Sequence, residues 1–232
     1  MMNVLENEMP SDLLIDSERK ILYQLFCEIF YEPISKGQLE YFKTNINEDW
    51  IFAIKEAYPA FYHFFNKVEE VEVDILYNEL KQEYQSICYI FNADGRVQAP
   101  IWESYYTSAD HSLFSNATYI LRNKLHEFNL QYEQENSHPE DHLAVELDFL
   151  YYLIDFTNMA YHNKDYASYE KGVYTQYWLL KDHLLKWVPL FVKKIELANK
   201  ESIYFSLSKL LLEILKEDLQ WIKILKGGIE ND

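Results

Sequence analysis

Two short strings concentrate the side chains that could do chemistry. Residues 138–150 read HPEDHLAVELDFL, and residues 100–105 read PIWESY. The first gathers His138, Asp141, His142 and Glu146; the second sets Glu103 and Ser104 directly after Trp102. An ionised carboxylate only accepts hydrogen bonds and can take both arms of an arginine fork. Glu103, Asp141 and Glu146 are therefore candidate guanidinium partners. His142 is a candidate for charge switching near neutral pH. The spacing also raises a metal site, because His138, His142 and Glu146 at i, i+4 and i+8 would share one helix face. Against it, HPEDH is neither H-E-x-x-H nor its reverse, and no Cys or further His cluster lies nearby in sequence. The plain alternative is structural. Carboxylates near a helix start are favoured by about 0.3–1 kcal/mol each, and His142 with Glu146 makes a mildly stabilising i, i+4 pair. A tryptophan beside a loop, such as Trp102, packs into a core about as often as it binds anything. On the residues alone, the structural reading wins.

Helices must position these groups. Ser137 and Glu140 form an S-x-x-E capping box, with Pro139 in the first turn, where its missing N–H costs little. The spacing predicts a helix over 139–162. Upstream, Asp16 can cap a helix carrying Ile21, Leu22, Leu25, Phe26, Ile29 and Phe30, stopped by Pro33 and Gly37. Helical pattern recurs over 48–66, interrupted near Pro59, and over 70–91. Residues 92–101 hold the clearest loop signal, with Asn92, Asp94, Gly95 and Pro100. The pattern resumes over 108–130, breaks at 131–137, and continues after the 139–162 helix at 165–185, 189–198 and 201–226. No repeat or linker divides the chain. One all-α domain over 1–232 is expected, with 1–11 polar and loose.

Composition agrees. Only 5 Gly and 6 Pro occur among 232 residues, which favours long helices over a sheet sandwich. A net charge of −17 repels phosphate backbones, so a nucleic-acid partner is not expected. The same charge favours basic partners. Cys27 and Cys88 form no CxxC, which reads as a reduced, intracellular protein. Neither a signal peptide nor a membrane span is legible, so the cytoplasm is expected. No Ser/His/Asp order or nucleophilic Cys context stands out, and no catalytic residues are expected.

Taken together, Pro139-x-Asp141-His142 and Pro100-x-Trp102-Glu103-Ser104 resemble the signatures of the TorD/DmsD-like family of redox-enzyme maturation chaperones. Weaker stretches agree in order: Phe30-Tyr31-Glu32-Pro33, Glu83-Tyr84-x-x-Ile87, and Asp182-His183-Leu184 with Trp187, Pro189 and Phe191. They span residues 22–191. Two departures stand out. Ile87-Cys88-Tyr89-Ile90 replaces a Leu-Phe and Gly pattern after the Tyr, and Ile101 replaces a second proline before the Trp.

The resemblance implies a cytoplasmic, single-domain helical bundle that is not an enzyme. It would bind the twin-arginine signal peptide, and the apo-form, of a molybdenum-cofactor oxidoreductase, as a monomer or a domain-swapped dimer. It implies that Asp141 and His142 line the peptide site, that Pro139 shapes the turn, and that the loop of Pro100, Trp102, Glu103 and Ser104 frames it. Glu146 would add a carboxylate, and Tyr31 and Tyr84 an aromatic groove. Under this reading, replacing Asp141 and His142 together by alanine weakens peptide binding and spares helix content. Some members are said to associate with guanine nucleotide or molybdenum cofactor, but no G-x-x-x-x-G-K-[ST] loop occurs here, and no cofactor is expected. The competing reading is a metal-dependent hydrolase using His138, His142 and Glu146.

Overall fold

Long apolar repeats with few breakers do become helices. The computed structural model describes residues 9–89, 97–133 and 138–231. The expected capping residue Ser137 and the expected loop formers Asn92, Asp94 and Gly95 lie outside them. The helices are α1 (Met9–Tyr31), α2 (Lys36–Thr44), α3 (Asp49–Ala57), α4 (Pro59–Glu70), α5 (Val73–Cys88), α6 (Glu103–Thr107), α7 (Asn116–Glu127), α8 (Leu143–His162), α9 (Tyr166–Leu179), α10 (Leu185–Asn199) and α11 (Ile203–Asn231). A π turn, Leu180–Leu184, joins α9 to α10 without a break. Among the described residues no strand forms. The one β pairing among them is an isolated antiparallel bridge between Trp102 and His142.

Several boundaries differ from the sequence expectation. Asp16 does not cap α1; it lies inside the helix and pairs with Arg19 at 2.7 Å. Helix α2 was not anticipated, because Gly37 reads as a stop. Ser35 and Gln38 in fact build a complete capping box there. Pro59 separates α3 from α4 by occupying the first turn of α4, where no N–H is needed. Helix α7 starts at Asn116, well after position 108; His111 and Phe114 in the intervening segment have positive φ. The largest correction concerns the signature. Helix α8 starts at Leu143 with His142 as its N-cap, so Pro139 and Asp141 lie in the approach to the helix.

Helix α8 is the central element, packed on α1 and α9. Leu143, Leu147, Leu150, Leu153 and Ile154 are all buried, within one apolar core running from Leu22 to Ile222. A buried polar knot ties the first, middle and last helices together. Arg19 of α1 reaches Gln176 of α9 at 2.7 Å and Asp218 of α11 at 2.7 Å, and the Tyr23 hydroxyl donates to Asp218 at 2.5 Å.

The α8–α9 crossing depends on Gly172. A methyl group there would collide with Thr157 Oγ1 and crowd Phe156. Thr157 cannot easily turn away, since its hydroxyl donates to Leu153 O at 2.6 Å and accepts from Gln176 at 2.8 Å. Glycine-to-alanine in a helix ordinarily gains about 0.8–1 kcal/mol. Here overpacking of about 1–3 kcal/mol opposes that gain. Gly172→Ala is expected to lower the urea midpoint, whereas the same change at the open Gly227 should not. A raised midpoint for Gly172→Ala would show that the crossing has slack.

Candidate functional site

The two signature strings meet as backbone. Glu103 N–H donates to Asp141 O at 2.9 Å, and Leu143 N–H donates to Ile101 O at 3.1 Å, on either side of the Trp102–His142 bridge. Asp141 reinforces the junction. Its Oδ2 accepts from Ser104 N–H at 2.6 Å and its Oδ1 from the Thr118 hydroxyl at 2.6 Å. Ser104 stands in the first turn of α6, whose N–H groups have no partner within the helix. Asp141 thus caps α6 from a distant segment and ties it to α7.

Glu103 and Glu146 also face inward. Glu103 accepts from His183 Nδ1 at 2.6 Å, and Glu146 accepts from Trp187 Nε1 at 3.1 Å. His183 lies in the π turn, a distortion often found where a helix serves a site. All three carboxylates are at most 3% exposed. Burial, and then the neighbouring carboxylates of Glu103 and Asp141, raise the pKa of Glu146 well above the ordinary range. Glu146 therefore favours its protonated form. As arranged here, none of the three is open to a guanidinium. They hold the frame.

The expected charge switch at His142 is likewise corrected. Burial, with a smaller effect from His138, pushes its pKa down to about 3, so the ring is neutral at physiological pH. His142 Nδ1 accepts from Ala144 N–H at 3.2 Å, which places the ring proton on Nε2. Nε2 is buried and has no hydrogen-bond partner among the described residues; the same holds for Trp102 Nε1. Two N–H donors thus lie together without acceptors among the described residues, on rings whose centroids are 5.4 Å apart. Tyr31 flanks His142 at 6.0 Å, and Tyr89 flanks Trp102 at 5.4 Å. Both tyrosines are exposed, so the cluster opens to solvent through them.

The remaining expected residues fall inside. Tyr84 is fully buried and donates to Phe30 O at 2.7 Å, which makes it a brace more than a groove wall. Pro100 and Pro139 are buried, and Pro100 O accepts from Tyr106 at 2.8 Å. Glu140 pairs in bidentate fashion with Arg122, at 2.7 and 3.1 Å. The metal reading finds no donor set. His138 precedes the helix, His142 caps it, Glu146 binds Trp187, and no group of three suitable ligands occurs among the described residues. Sequence reasoning gave no site role to Tyr89, Thr118, His183 or Trp187. The last two do stand in a stretch that resembles the family, so their signal was present.

The model of the family described as nitrate reductase delta subunit matches residues 54–193, which include both signature strings. This chain belongs to that family, the TorD/DmsD-like one. Relatives agree along nearly the full length. The TorD-like chain is 23% identical over 216 residues to the chaperone protein TorD of Aliivibrio salmonicida, covering 89% of this chain and 95% of that protein. It is 22% identical over 213 residues to TorD of Vibrio parahaemolyticus, with the same two coverages. In fold, it resembles a redox enzyme maturation protein from Archaeoglobus fulgidus, with a TM-score of 0.52 at 20% identity, over 85% of this chain and 93% of that one. Among the described residues of the TorD-like chain, no helix is long and apolar enough to cross a membrane.

Proposed function

We propose that this TorD-like chain is a cytoplasmic, non-catalytic chaperone that binds the twin-arginine signal peptide of a molybdenum-cofactor oxidoreductase. It would hold that peptide until the client has folded around its cofactor, and release would then permit export. The observation that carries this reading is the joined pair of signatures. The bridge between Trp102 and His142 puts two buried N–H donors side by side beneath exposed Tyr31 and Tyr89. An extended peptide that parts Tyr31 and Tyr89 would bring carbonyl acceptors to these donors and apolar side chains to these rings. In this reading Trp102, His142 and Tyr31 meet the peptide. Asp141, Glu103, Ser104, Glu146, Pro100, Pro139 and Tyr84 keep those rings in place. The chaperone itself needs no cofactor for this role. The client belongs to the class of dimethyl-sulfoxide, trimethylamine-oxide or nitrate reductases.

Calorimetric titration with a twin-arginine signal peptide from a neighbouring molybdoenzyme tests it. Trp102→Phe keeps an aromatic ring, smaller than the indole, and deletes the N–H, and is expected to weaken binding about fivefold, the worth of one hydrogen bond. His142→Phe should act similarly on binding, and it also removes the N-cap of α8. Single-ring changes serve better than the joint alanine replacement of Asp141 and His142, because Asp141 also anchors α6. Saturable wild-type binding, lost in part in both variants with helix content intact, supports the reading. Absence of binding by the wild-type chain to any such peptide would sink it.

A further inference from the structure

Two cavities lie along α1 and share Glu28, Ser35 and Gln38, so they adjoin as two parts of one groove along that helix. The first, about 760 Å³, lies between the end of α1, residues 130–133 and the outer face of α8. Five carboxylates line it: Glu28, Glu32, Glu133, Asp148 and Asp155. No lysine or arginine is among its lining residues, and among the described residues Asp155 alone of the five forms an ion pair, with Lys20. Its walls are aromatic, with Tyr31, Tyr132, Tyr151 and Tyr152. The second cavity, about 800 Å³, is different in character. It offers Ile21, Leu25, Tyr41, Phe42 and Trp50, with Glu28 its one carboxylate. The first cavity is therefore acidic with aromatic walls, and the second mixes apolar side chains with the uncharged Gln24, Ser35 and Gln38.

Tyr31 lines the acidic cavity and also packs on His142, so the groove and the Trp102–His142 cluster share that ring. The frame carboxylates Glu103, Asp141 and Glu146 are closed off, which leaves guanidinium recognition without a residue. The acidic cavity supplies it. Glu28 and Asp148 have their pKa values raised by burial, as expected of carboxylates short of a cationic partner. Charge complementarity selects a basic occupant there, and the Ile21, Tyr41 and Trp50 side of the nearly uncharged second cavity suits a hydrophobic stretch joined to it.

We propose that the arginine pair of the bound segment lies in the acidic cavity, against Glu28, Glu32 and Asp148, and that its apolar run continues over Ile21, Tyr41 and Trp50. This rests on the reading that the chain binds such a peptide, and it moves arginine recognition from the signature carboxylates to α1 and α8.

The test is a mutant cycle by calorimetry on the full chain. The probes are one twin-arginine signal peptide and its variant with both arginines replaced by alanine. Neutralising the acidic cavity, with Glu28→Gln and Asp148→Asn together, should weaken the arginine peptide at least tenfold and barely affect the alanine peptide. The exposed Glu32→Gln should do the same to a smaller degree, and answers for the groove if the double variant folds poorly. Tyr41→Ala should weaken both peptides alike. Glu170→Gln with Glu213→Gln removes two exposed carboxylates that do not line the groove, and should leave the preference for arginine intact. Wild-type binding with an arginine preference that survives neutralisation of Glu28, Glu32 and Asp148 would overturn this assignment while leaving the chaperone reading standing. An equal loss in the Glu170 and Glu213 control would also overturn it, since bulk charge would then suffice. Failure of the wild-type chain to bind either peptide would remove both.

Discussion

Asp141→Ala is expected to lower the unfolding free energy by about 3 kcal/mol or more, read from urea melts. The carboxylate accepts two bonds of 2.6 Å from fully buried donors, Ser104 N–H and the Thr118 hydroxyl. Removing it strands both, and a stranded buried polar group costs about 1–3 kcal/mol. The Ser104 N–H belongs to the first turn of α6, so the loss also frees the segment that carries Trp102. One effect works the other way: without Asp141, Glu146 has one fewer like charge beside it. Asp141→Asn retains the shape and one acceptor oxygen, and should lose clearly less. A loss below about 1 kcal/mol for the alanine variant would mean that α6 is held by packing, not by this carboxylate.

Glu146→Gln is expected to change how stability depends on pH more than its value at acid pH. A carboxyl whose folded pKa is raised holds a proton that the unfolded chain releases above the model value of 4.5. Its contribution is complete below that value and is lost as pH rises toward the folded pKa. The slope is about 1.4 kcal/mol per pH unit. His142 acts at the other end. Its folded pKa, lowered from 6.5 to about 3, makes stability fall as pH drops through that interval. Between 4.5 and 6.5 the two slopes oppose each other, and above 6.5 Glu146 acts without that opposition. Glutamine keeps the shape and an acceptor for Trp187, so the variant should lose the alkaline decline and retain the acid one. Urea midpoints from about pH 4 to pH 8 decide it. Parallel profiles for the two proteins above pH 6.5 would show that Glu146 is already ionised in the fold.

Helical class and the two signature strings were legible because each has a local cause; that the strings lie together was implied only by the family resemblance. The apolar period of α1 and α5, the scarcity of Gly, and the P-x-D-H and W-E-S strings can all be read within a few residues. The features that escaped depended on partners far along the chain. Nothing near Asp141 says that its oxygens face Ser104 and Thr118, so a buried tie looks the same in sequence as an exposed arginine acceptor. His142 has the composition of a pH switch, and only its depth in the core removes that property. Helices expected at 165–185 and 189–198 leave a gap before Pro189. The structure has none: Pro189 lies inside α10, which follows the π turn that carries His183. The acidic cavity of the groove went unread for the opposite reason. Glu28, Glu32 and Asp148 look like ordinary solvated helix faces until α1 and α8 are placed side by side.

The seam between Trp102 and His142 has a kinetic side. Ser104 and Asp141 are 37 positions apart, and Glu103 and His183 are 80 apart. Contacts at such separations form only after long stretches of chain have been closed into loops, so they come late in folding, whereas helices such as α5 and α11 need only their neighbours. The paired donors of Trp102 and His142 therefore arise only after residues 101–104 and 141–143 have been brought together. A copy in which that closure has not occurred presents helices but no assembled cluster. Competence to engage a partner is thereby timed by the chain's own topology.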